Sequence, residues 1–141
     1  MSSIFICSDW HLGHIGATRF LRDDGSKLRP WDTIEEMDEA LIERHNKVVR
    51  PQDTVYQLGD AVINRRAIPT IGRLNGTKIL IKGNHDVFRL EEYLPYFKDI
   101  RGSSELAGFL LTHIPVHPNQ LYRWKGNIHG HLHADRVMLV R

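Results

Sequence analysis

"SIFICSDWHLGH", residues 3–14, begins as an apolar run and ends on an aspartate and two histidines. Residues 3–8 are rich in β-branched and aromatic side chains, which predicts a buried strand. Asp9 and His11 stand just beyond its carboxyl end. The same event recurs downstream. "DTVYQLGD" (53–60) predicts a second strand over 53–58 that ends at Gly59 and delivers Asp60. "TKILIKGNHD" (77–86) predicts a third over 77–82, followed by Asn84, His85 and Asp86. "ELAGFLLTH" (105–113) reads as strand sequence with a tight turn or bulge at Gly108, and it delivers His113. "GNIHGHLHAD" (126–135) then places His129, His131 and His133 at every second position, where an extended chain points side chains to one side. In α/β sheets, sites form beyond the carboxyl ends of the strands, so residues far apart in sequence can converge there.

The segments between these strands set the class. "TIEEMDEALIERHNKVV" (33–49) predicts a helix: Thr33 and Glu36 fit a capping box, and Ile34, Met37, Leu41 and Val48 recur near helical spacing. A short helix is expected from Arg65 to Leu74, with Pro69 tolerated only in its first turn, and Asn75-Gly76 closes it. "VFRLEEYLPYF" (87–97) reads as a helix or helical turn interrupted by Pro95. "NIHGH" and "RVMLV" read as the last two strands. Strand, helix, strand, helix, strand, then further strands, implies an α/β layered domain, with residues 1–141 forming one compact unit.

Composition narrows the functional classes. A chain of 141 residues, 41% hydrophobic and 26% charged, buries a core without disulfides. Its single cysteine, Cys7, excludes an intramolecular disulfide and fits a reducing compartment. No basic segment and apolar run mark a secretory signal at the start. No apolar stretch approaches the about 20 residues of a membrane span. The expectation is a cytoplasmic protein without membrane contact. A net charge of +2 does not by itself indicate nucleic-acid binding. Arg19, Arg22, Lys27 and Arg29, set against Asp23 and Asp24, read as a solvated loop before an anion-binding patch.

Singly, an aspartate after a strand is a turn former, and Gly-Asn is a common turn dipeptide. Repetition at one strand end after another is hard to attribute to turns alone. Carboxylate and amide oxygens combined with imidazoles suit manganese, iron or zinc better than calcium, with nickel also admissible, and the absence of thiolates argues against a structural zinc site.

The set Asp9-x-His11, Gly59-Asp60, Gly83-Asn84-His85-Asp86, His113 and Gly130-His131-x-His133 resembles the calcineurin-like metallophosphoesterase superfamily, in order, from residue 8 to residue 133. "SDWHLGH" (8–14) and "LRPW" (28–31) are similar to its small bacterial and phage subgroup. The resemblance implies two β-sheets in a sandwich flanked by helices, and two divalent metal ions, most naturally manganese. Asp9, His11 and His133 would hold one ion, Asn84, His113 and His131 the other, and Asp60 would bridge them. It further implies in-line attack on phosphorus by a metal-bridging hydroxide, with Asp60, Asn84 and His85 as the catalytic set and His85 answering charge on the leaving or phosphoryl oxygens. His14, Arg29 and Arg65 are the expected substrate contacts, Asp86 a turn former, and His129 a structural residue.

One departure bears on substrate class. Protein phosphatases of the superfamily continue Gly-Asp-x-x-Asp-Arg, whereas "GDAVINRR" (59–66) carries Ile63 and Asn64 there. The expected substrate is a small phosphoester or a nucleotide. A nucleic-acid phosphodiesterase or nuclease using the basic loop, and a non-catalytic scaffold of the same fold, are the alternatives. Residues 15–32 and 114–126 are the expected rim, and Trp10, Trp31, Tyr122 and Trp124 are read as packing residues ahead of stacking platforms.

Overall fold

The computed structural model describes residues 1–133. Four strands, β1 (Ile4–Cys7), β2 (Thr54–Gln57), β3 (Thr77–Ile81) and β4 (Asp99–Arg101), form one sheet in the order β1-β2-β3-β4, every neighbouring pair parallel. Parallel neighbours require crossovers. The first carries α1 (Ile34–Val48), the second a 3₁₀ segment at Arg65–Arg73, and the third the short α2 (Leu90–Tyr93). A second sheet holds β5 (Ser104–Leu106), β6 (Phe109–Thr112) and β7 (Asn127–His129). Strands β5 and β6 pair antiparallel through a tight turn in which Ala107 and Gly108 both have positive φ, while β6 and β7 pair parallel. The architecture is the expected one, an α/β fold of two sheets with flanking helices.

Two apolar clusters hold the layers. The larger lies between the first sheet and its helices and includes Leu12, Ile42, Val55, Ile71, Leu80, Tyr93 and Phe97. The smaller, Leu58, Ile81 and Leu111 with Tyr56, Leu106 and Ile128 against it, joins the two sheets. In the smaller cluster Leu58, Ile81 and Leu111 stand at or beside the carboxyl ends of β2, β3 and β6.

Several expectations need correction. Among the described residues β1 lies at the edge of its sheet and is not a buried strand: Phe5 and Cys7 pack on the larger cluster, but Ile4 and Ile6 remain exposed on the other face. In α1 the buried positions are Met37 and Ile42, and Val48 is exposed while the following Val49 is buried, because the chain leaves helical geometry at Val49. Thr33 does cap α1 by accepting from Glu36 N–H, but the Glu36 carboxylate accepts from Asp32 N–H, one residue before the expected partner. Pro69 lies inside the 65–73 segment, which is therefore 3₁₀ and not α-helical; proline removes the N–H that an α-helical ladder would need. Strand β4 escaped the sequence pattern because "DIR" has a single apolar residue. The expected strand "RVMLV" lies outside the described residues.

Candidate metal centre

Because β1, β2 and β3 are parallel, their carboxyl ends share one edge, and β6 and β7 bring theirs beside it. Backbone bonds lock the loops together. Asp9 N–H donates to Gly59 O (3.1 Å), His11 N–H to Asp60 O (3.0 Å), and Gly130 N–H to His113 O (3.0 Å). The two sheets meet at His113, whose Nδ1 lies 2.7 Å from Leu58 O at the end of β2. A carbonyl only accepts, so Nδ1 of His113 carries a proton, and in the neutral ring the Nε2 lone pair faces inward.

Around that lone pair a donor set converges. His113 Nε2 is 2.8 Å from Asn84 Oδ1, 3.2 Å from His131 Nδ1 and 3.4 Å from Asp60 Oδ2. His131 Nδ1 is 3.1 Å from Asn84 Oδ1. Beside it, Asp9, His11 and His133 form a second triad; in each of the triads Asp9–His11–His133 and Asp60–His113–His131, the ligand atoms lie within 4.8 Å of one another. Asp60 Oδ2 is also 3.7 Å from His11 Nε2, so one carboxylate oxygen stands between the two groups. The structure thus brings together all seven residues expected to bind metal.

The arrangement fits cations on three observations. His11 is 2% exposed, yet its Nε2 has no hydrogen-bond partner among the described residues; a buried polar atom aimed at a carboxylate and left unpaired suits a ligand lone pair. Burial first, then the nearby Arg29 charge, lowers the His11 pKa to about 3, so the imidazole is neutral and able to coordinate. Five of the expected ligands, Asp9, His11, Asp60, His131 and His133, have φ between 51° and 71°, and among the described residues the only other non-glycine residue with positive φ is Ala107 in its hairpin turn. Left-handed backbone at non-glycine residues costs energy and concentrates at functional sites.

Neighbouring residues hold this geometry. The fully buried Asp86 carboxylate accepts from the N–H groups of Asp60 (2.8 Å), Ala61 (3.0 Å) and Gly83 (2.8 Å), tying the loops after β2 and β3 together. Burial raises its pKa, and those amides pull it back only in part. Asp86 closes its turn as expected, but its larger role is this clamp. Asp60 is itself buried, which would raise its pKa; the hydrogen bond that His113, when protonated, donates from Nε2 and the His85 N–H at 2.9 Å outweigh that and lower it. Burial depresses His113, but its bonds to Asp60 and Leu58 overcome this and raise its pKa. Gly83 and Gly130 provide clearance: a Cβ on the first would collide with Asp60 Oδ1, and one on the second would collide with Ser8 Oγ and stand 2.8 Å from Asp9 Oδ2.

The expected substrate contacts fare differently. His85 is exposed, its ring centroid 5.8 Å from that of His11, at the mouth of the site. His14 faces inward toward a ligand: His14 Nδ1 is 3.1 Å from His11 Nδ1, with the rings stacked at 5.3 Å. If His11 offers Nε2 to a cation, its proton is on Nδ1 and donates to His14, which makes His14 an orienting partner. Arg29 donates to the carbonyls of Asp9 and Trp10 and so braces the first loop. Arg65 pairs with Glu92 at 2.9 Å and lies over the Phe88 ring. Neither arginine is found free to meet a substrate. His129 Nδ1 sits 2.9 Å from Gly130 O, and it is in neither triad. Trp10 is buried against His45, as expected of a packing residue; Trp31 under Arg44 and Trp124, whose Nε1–H donates to Glu105, are only half-buried, and Tyr122 is 77% exposed, contrary to that expectation. The sequence reading missed Asp38, which accepts from Gly13 N–H, and Gln57, which accepts from Gly59 N–H; a glutamine inside the apolar run just before Gly59 was the available signal for the second.

Comparison with known proteins agrees with the site. Residues 2–133 match the sequence profile of the calcineurin-like phosphoesterase family. The chain is 33% identical over 145 aligned positions to the uncharacterized protein MJ1445 of Methanocaldococcus jannaschii, an alignment covering 97% of this chain and 73% of that one. It also resembles the crystal structure of AQ665, a protein of unknown function from Aquifex aeolicus, with a TM-score of 0.58 and 27% identity over 82% of this chain. The match spans 63% of the AQ665 chain.

Proposed function

The chain belongs to the calcineurin-like phosphoesterase family, and on that premise we propose that it is a metal-dependent phosphoesterase acting on a small phosphoester or a nucleotide. The observation that carries the reading is the pair of donor triads meeting at Asp60, with the buried His11 Nε2 left without a partner.

Asp9, His11 and His133 would hold one divalent cation, and Asn84, His113 and His131 the other, with Asp60 shared. Manganese fits this oxygen and imidazole set, and iron, zinc or nickel are compatible with it. Such a pair supplies Lewis acidity for the phosphoryl oxygens and lowers the pKa of water for in-line displacement. The chain's own residues do the rest. Asp60 is held as a carboxylate by the His85 N–H and His113, so it stays charged where two cations would meet. His85 keeps its imidazole exposed at the mouth, where Nε2 or Nδ1 can give a proton to the departing oxygen. The buried Asp86 clamp keeps these loops from moving apart.

A nuclease reading finds less support. Of the four cations in the loop at 19–29, Arg29 is spent on backbone carbonyls, Lys27 pairs with Asp32, and Arg22 donates to Lys27 O, which leaves a poor array for a phosphate backbone.

The test is hydrolysis of p-nitrophenyl phosphate and bis-p-nitrophenyl phosphate by metal-stripped protein reloaded with manganese. Metal-dependent turnover that falls about 100-fold or more in His85→Ala, with metal content retained, is expected. Asp60→Asn should lose both metal and turnover. Absence of turnover on either ester with two ions bound per chain would contradict the reading.

A further inference from the structure

A cavity of about 500 Å³ opens against Asn84 and His113, between the loop after β3 and the loop after β6. Its polar walls are already committed. The Asp86 carboxylate serves three backbone amides, Thr112 Oγ1 donates to Ile114 O at 2.6 Å, and His113 Nδ1 is taken by Leu58 O. Apart from the Asn84 amide, what is left facing the space is apolar, with one cation. Val87 and Ile114 are 70% and 56% exposed, and Val116 is half-buried beside them. Lys82 lies at the rim, exposed, and its ammonium has no hydrogen bond or ion pair among the described residues. Exposed apolar side chains grouped beside a cluster of ligating groups mark a place for an organic ligand.

We propose that this cavity takes the organic part of the ester, and that the preferred substrate is a phosphoester whose organic group is apolar and carries a second negative charge. The inference rests on the phosphoesterase reading for the position of the phosphate. With the phosphoryl group at Asn84 and His113, the organic group has Val87, Ile114 and Val116 to cover it and Lys82 to meet its second anion. A polyhydroxylated organic group would lose hydration against these walls without recovering hydrogen bonds.

Non-hydrolysable phosphonates separate this idea from the chemistry. Methylphosphonate, phenylphosphonate and 4-carboxyphenylphosphonate would be titrated calorimetrically into manganese-loaded protein, with hydrolysis of phenyl phosphate measured in parallel. Phenylphosphonate should bind about tenfold tighter than methylphosphonate, and the carboxylate should add a further three- to fivefold, the range of an exposed ion pair. In Lys82→Ala that carboxylate preference should fall to about one. In Val87→Asn, a change at an exposed position that spares the core, the phenyl preference should shrink. Equal affinity for all three phosphonates, or no binding of any, overturns the cavity assignment. A carboxylate preference that survives Lys82→Ala overturns the role of Lys82. Phosphonate preferences as expected with no hydrolysis of phenyl phosphate would leave the cavity standing and sink the phosphoesterase reading.

Discussion

Asp86→Ala should unfold this protein more readily even with every metal removed. The Asp86 carboxylate is fully buried and accepts from three backbone amides, those of Asp60, Ala61 and Gly83. Truncation leaves all three without an acceptor, and each buried group so orphaned costs about 1–3 kcal/mol. Water entering the vacated space recovers part of this, so a net loss of about 3–5 kcal/mol is expected, a large share of a stability of typically 5–15 kcal/mol. Asp86→Asn can keep its oxygen at the Oδ2 position for Asp60 and Gly83, while its amide nitrogen faces the Ala61 N–H. Its expected loss is smaller, about 1–3 kcal/mol, and relief of a buried charge offsets part of that. Urea unfolding in excess chelator is the assay, since any metal held by the folded chain would add stability of its own. A loss below about 1 kcal/mol for Asp86→Ala would refute the clamp.

Gly130→Ala should drive the His131 loop away from Asp9, at a cost of about 1–3 kcal/mol for the forced contact, and metal content by elemental analysis should fall below two ions per chain; full occupancy would contradict the clearance argument. His14→Phe removes the acceptor facing His11 Nδ1 and should weaken one metal site by about 10–100-fold in competitive titration, whereas His14→Gln should retain part of the affinity; identical affinities in both variants and the parent would exclude an orienting role. The His11 pKa, lowered to about 3 by burial, gives a pH dependence. The unfolded imidazole takes a proton below its ordinary value of about 6.5 while the folded one does not, so this contribution is complete above that value and is lost as pH falls toward 3. Metal-free protein should therefore lose urea stability on acidification more steeply than His11→Asn does; parallel curves would show that burial does not hold His11 neutral.

The ligands were legible because each follows a strand, and a strand end is visible in sequence as an apolar run meeting a polar residue. Asp9, Asp60, Asn84 and His113 all carry that signature. What sequence pattern does not show is how one run packs on another. "SIFICS" reads as buried by its composition, yet its place at the edge of the sheet among the described residues leaves Ile4 and Ile6 exposed. Val48 and Val49 are equally apolar, and only the exact point at which α1 ends decides which is covered. Arg29 shows the same limit for charge. Its basic neighbours suggest an anion, whereas its guanidinium folds back onto the carbonyls of Asp9 and Trp10, a tertiary contact across some twenty residues. The Asp86 clamp is hidden for a different reason: a turn former and a three-amide acceptor look alike until the loop after β2 is brought to it.

Anomalous diffraction at the manganese edge from crystals grown with manganese tests the dinuclear site most directly. Two peaks are predicted, one coordinated by Asp9, His11 and His133, the other by Asn84, His113 and His131, with Asp60 reaching both. A single peak, or peaks outside these residues, would contradict it.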